Sequence, residues 1–136
     1  SLILRIFVLQ SKQKIEKKLK LFLDHNKIGM TKEQYLRMCE QTGQEIDWEK
    51  CPPDLEDFPE IVLTAIEIYN SLGDRIYPEV GFVGKDFTNL SLMFKLHHSI
   101  KEEKDYLMDL LLLLDRQQIK QSQEQIKAQY DKIKKK

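Results

Sequence analysis

Three of the five glycines, Gly73, Gly81 and Gly84, fall with Pro78 inside one stretch, Leu72 to Leu90, which reads LGDRIYPEVGFVGKDFTNL. Glycine opens backbone conformations that other residues avoid, and proline removes an N–H donor, so a helix does not run through such a stretch. Nearly everything around it carries helical periodicity. The chain must therefore be helical on both sides and change course here. A patterned interruption in a helical chain is also where a specific contact is made.

The spacing of apolar residues predicts a first helix over 3–24, with Ile6, Leu9, Ile15, Leu19 and Phe22 on one face and lysines between them. Asn26 and Gly29 end it. Thr31 followed by Gln34 is a capping-box pattern that opens a second helix, which Gly43 stops. Residues 44–58 form an acidic connection broken by Pro52-Pro53, with Trp48, Leu55 and Phe58 available to tack it down. A third helix is expected over about 59–71, capped by Asp57 and closed by Gly73 in a left-handed conformation. A fourth runs from about 87 to 97, with Asp86 or Thr88 at its start. Ser99 and Glu102 form another capping box, and a last helix follows over about 100–133. The expected fold is thus all-α, a compact bundle of about five helices with a long C-terminal helix and a glycine-rich loop at 73–86. It occupies one domain, 1–136, in which 1–29 can be an N-terminal helical extension.

Charge sums to zero over the chain but is unevenly placed. Residues 1–29 hold seven Lys/Arg against two Asp/Glu, residues 30–98 six against thirteen, and residues 99–136 nine against seven. The basic ends suit an acidic partner or the chain's own acidic middle. The apolar run LILRIFVL is too short to span a membrane and is interrupted by Arg5. It lacks a leading basic region and a small-residue cleavage site, so a signal peptide is not expected.

The chemistry of catalysis is not spelled out. Cys39 and Cys51 are too few for a disulfide scaffold and read as reduced thiols. Together with His97 and His98 they lack the short paired spacing of a zinc site, so we expect buried thiols, a surface histidine pair, no metal and no cofactor. GFVGK at Gly81 to Lys85 lacks the spacing and the following Ser or Thr of a phosphate-binding loop. We expect no enzyme.

What remains is partner binding. The candidate contact residues are Tyr77, Phe82 and Phe87 in the glycine-rich stretch and Ile119, Ile126 and Tyr130 on a thin apolar stripe of the last helix. Gly81, Gly84 and Asp86 would shape the loop. The stripe is spaced like a coiled-coil seam, so self-association is a further expectation. A membrane partner is not expected.

From about Asp57 to Gln121 the chain resembles the small phage tail-assembly chaperones. An acidic stretch precedes the helix IVLTAIEIYNSL, and a short loop with an aromatic leads to G-x-x-G-K-D-F at Gly81 to Phe87. A further helix ends in LLLLLD, Leu110 to Asp115. Asp86-Phe87 matches the Asp-aromatic pair that opens a helix in that family. Arg75-Ile76-Tyr77 stands where a tryptophan-containing motif is common, and residues 1–29 have no counterpart, so either Met30 is a native start or residues 1–29 come from an upstream frame joined to it. The resemblance implies a non-enzymatic helper that coats the tape-measure protein and recruits tube subunits in the cytoplasm of an infected bacterium. The alternative is a small nucleic-acid-associated or transcription-modulating phage protein that uses its basic terminal helices (Lys12, Lys14, Lys17, Lys18, Lys20, and Lys132, Lys134, Lys135, Lys136).

Overall fold

Thr31 starts the second helix as its sequence pattern requires. Its hydroxyl accepts from the Gln34 backbone N–H at 3.2 Å, and its own N–H donates to the Gln34 side chain at 2.9 Å. Helix α2 then runs Lys32–Thr42 and stops at Gly43, whose φ of 70° places it in the left-handed region. The preceding helix α1 spans Leu2–Lys27. The computed structural model describes residues 2–97 and 101–135. The backbone forms two compact units, residues 1–59 and 60–136.

In the first unit, a short 3-10 turn at Leu55–Asp57 follows the proline-bearing connection. Asp57 does not cap the third helix, contrary to expectation. Its carboxylate instead accepts from the Asp54 N–H and from Lys32 Nζ, both at 2.9 Å. Phe58 is buried and meets Phe22 edge-on, with ring centroids 5.7 Å apart. Cys51, Pro52 and Pro53 are buried, whereas Trp48 is 66% exposed and so does not tack the loop down. On α1, Leu19 is fully buried, but Ile6 and Leu9 of the same apolar face are exposed.

In the second unit, α3 (Glu60–Ser71) and α5 (Lys101–Lys134) pack on one another. Val62, Ala65, Ile68 and Tyr69 are buried on α3. Leu107, Leu110, Leu111 and Leu114 repeat at helical spacing on α5 and are buried too. Helix α4 (Leu90–Leu96) comes between them in chain order.

The chain is mostly helical, with five α-helices among the described residues and a long last helix. It is not purely α. The expected loop at 73–86 is an antiparallel hairpin of β1 (Asp74–Tyr77) and β2 (Gly81–Lys85). Asp74 pairs with Lys85 and Ile76 with Phe82, so β2 carries one extra residue, a bulge. The Val80 N–H donates to the Tyr77 carbonyl at 3.3 Å across Pro78 and Glu79. Proline at the second turn position and a positive φ (70°) at the third are the type II pattern. An isolated two-stranded hairpin is marginal in water, and here β2 lies against α5.

Gly73 is not left-handed, which corrects a second expectation. Positive φ values occur instead at Gly29, Gly43, Gly81 and Gly84. The expected Ser99–Glu102 capping box and His98 involve residues outside the described ones.

Candidate protein-binding site

The hairpin is held to the helices by one buried carboxylate. Asp115 ends the leucine run of α5 and is only 9% exposed. Its Oδ1 accepts from Tyr69 Oη of α3 at 3.0 Å and from the Lys85 N–H of β2 at 2.9 Å. Lys85 Nζ in turn donates to the Leu72 carbonyl at 3.1 Å, pairs with Asp74 at 2.6 Å and sits 5.1 Å from the Tyr69 ring centre. Burial pushes the Tyr69 hydroxyl pKa up, and the Asp115 charge pushes it further the same way. With this tie α3, β2 and α5 share a single anchoring point.

Two glycines let the strand approach. A Cβ on Gly84 would lie 2.9 Å from Asp115 Oδ2 and 3.2 Å from Arg75 Nη2. A Cβ on Gly81 would lie 2.6 Å from Ile126 Cδ1. Both expected loop-shaping glycines therefore set strand-to-helix distance. Asp86 shapes a turn rather than a helix start: its carboxylate accepts from the Thr88 N–H and hydroxyl, which lower its pKa. Helix α4 begins only at Leu90.

This docking brings the turn of the hairpin beside the C-terminal half of α5. An open groove of about 390 Å³ lies there, lined by Val80 of the turn and by Ile126, Lys127, Tyr130, Asp131 and Lys134 of α5, among others. Val80 is 55% and Tyr130 63% exposed, and Lys134 Nζ stands 5.6 Å from the Tyr130 ring centre. Ile133, one turn on, is 72% exposed. Tyr77 is exposed at the start of the same turn.

The expected contact residues therefore separate. Ile126 and Tyr130 line the groove, Gly81 meets Ile126, and Tyr77 flanks the turn. Phe82, Phe87 and Ile119 are half-buried and do not line it. Val80, Tyr69, Lys85 and Asp115 were not among the expected site residues. Asp115 was traceable, because a carboxylate four residues after Leu111 falls on the apolar face. The hairpin was traceable too, from two short runs flanking a Pro-containing turn and bounded by glycines.

Cys39 and Cys51 are buried free thiols, and burial raises the Cys51 pKa. His97 Nδ1 lies 4.0 Å from Glu67. Among the described residues no cluster of three or more His, Cys, Asp or Glu could hold a metal ion. No described helix is long and apolar enough to cross a membrane. Comparison with protein-family models, with curated proteins and with solved structures returns no match.

Proposed function

We propose that the chain is a non-enzymatic protein-binding module that acts as a phage tail-assembly chaperone, binding tape-measure and tube proteins in the cytoplasm of the infected host. The observation that supports this reading is the groove between Val80 and the Ile126–Tyr130 stripe. A long helix and a docked hairpin turn present apolar side chains side by side, with Lys127 and Lys134 also in the lining. Such a groove suits the apolar face of a partner helix, anchored at helical spacing. The order of motifs from Asp57 to Gln121 supplies the class of partner. The test is co-expression with the tape-measure and tube proteins of the same phage genome, followed by affinity capture. The wild-type chain should retain one of them through a salt wash, as an apolar contact does. The Val80→Asp and Tyr130→Asp chains should fold but lose it. Failure of the wild type to retain either protein removes the proposal.

A further inference from the structure

A second concavity lies wholly within residues 1–59. It holds about 520 Å³ and is bounded on one side by Lys14, Lys17 and Lys18 of α1. These positions share a helix face by their three- and four-residue spacing. Trp48 lines it as well, and the buried Pro52 and Pro53 border it. The cleft therefore combines cationic side chains with one exposed indole.

Its charges are mostly unspent. Lys14 and Lys17 make no hydrogen bond or ion pair with another described residue. Asp57 is already matched by Lys32 at 2.9 Å and also feels the Lys18 charge, which leaves Glu49 as the other carboxylate of the lining. Pro52 and Pro53 have no N–H, so they cannot donate to the carbonyls of an extended peptide. A nucleotide asks for something else: cations for its phosphate and a flat face for its base. Trp48, 66% exposed beside the lysines, offers that face.

The geometry points to this cleft as a binding site for single-stranded nucleic acid, with a base stacked on Trp48 and the adjacent phosphates on Lys14, Lys17 and Lys18. The site is separate from the hairpin groove and needs no protein partner. Acidic peptide is the competing occupant, and it is distinguishable because it carries charge without a stacking face.

Trp48 is the sole tryptophan of the chain, so its fluorescence reads the cleft directly. The full chain is titrated with a single-stranded oligothymidylate and, separately, with a polyglutamate peptide. The oligonucleotide should quench Trp48, and the logarithm of its affinity should fall with log salt at a slope of about −2, as expected when roughly three phosphates are neutralised. Trp48→Ala, followed by anisotropy of labelled oligonucleotide, should weaken binding about tenfold or more. Lys14→Gln with Lys17→Gln should flatten the salt slope, and circular dichroism should stay that of the wild type because these side chains are exposed. Absence of quenching overturns the assignment, and so does equal binding of polyglutamate. Unchanged affinity in Trp48→Ala overturns it as well, because binding would then be ionic contact without a base on the indole.

Discussion

Tyr69 Oη donates to Asp115 Oδ1 at 3.0 Å across 46 residues of chain, and this buried bond joins α3 to α5. The same oxygen accepts the Lys85 N–H at 2.9 Å, so the bond also fixes the hairpin. Removing the carboxylate strands two donors, the buried Tyr69 hydroxyl and the part-buried Lys85 N–H. Asp115→Ala should cost about 3 kcal/mol in urea denaturation, and Tyr69→Phe, which removes only one donor, about 1 kcal/mol. The two losses should be non-additive in a double-mutant cycle. A loss below about 1 kcal/mol for Asp115→Ala shows that the tie does not carry the unit.

Alkaline pH should find the same bond. The Tyr69 pKa is raised in the folded chain, first by burial and then by the Asp115 charge. Below the ordinary tyrosine value of about 10, both folded and unfolded chains keep the proton and the contribution to stability is complete. Above it the unfolded chain releases a proton that the folded chain retains, so stability falls as pH rises. Urea midpoints measured from neutral pH upward should show that fall, and Tyr69→Phe should reduce its steepness. An identical slope in the variant contradicts the assignment.

The glycines should rank by what their Cβ would meet. Gly84→Ala brings a Cβ to 2.9 Å from Asp115 at a φ of 122°, and should cost about 2 kcal/mol or more. Gly73 has open space around it and no positive φ, so Gly73→Ala should be neutral or stabilise by about 0.5 kcal/mol. Thermal melts of the two variants check the order. Equal losses at both sites would show that local propensity, not docking against α5, sets the requirement.

Thr31→Ala should lower stability by about 1 kcal/mol, since it leaves the Gln34 N–H without its cap. Thr31→Ser keeps the hydroxyl and should keep most of the wild-type stability, as read by circular dichroism during denaturation. No difference between Ala and Ser would mean that packing of α2, not its cap, holds that end.

Much of the site was within reach of the chain's pattern. The stripe carrying Ile126 and Tyr130 follows from helical periodicity, and both residues line the groove. Val80 was hidden because nothing local distinguishes a valine in a turn from one filling a core. Phe82 and Phe87 misled for the converse reason. An aromatic near a glycine looks like an exposed anchor, yet both are half-buried. Trp48 changed in the opposite direction, from an expected core residue to an exposed one that lines a cleft.

The helices themselves, their order, the cap at Thr31, the stop at Gly43 and the break after Leu72 were determined by the sequence alone, because capping, glycine freedom and apolar spacing act within a few residues. The hairpin was a tertiary decision. Strands as short as Asp74–Tyr77 and Gly81–Lys85 gain little from local propensity and form where α5 offers a surface. The same surface required glycine at positions 81 and 84, so that Ile126 and Asp115 could come close. It also decided which carboxylate was buried, because the price of desolvating Asp115 is met only where Tyr69 and the Lys85 N–H converge on it.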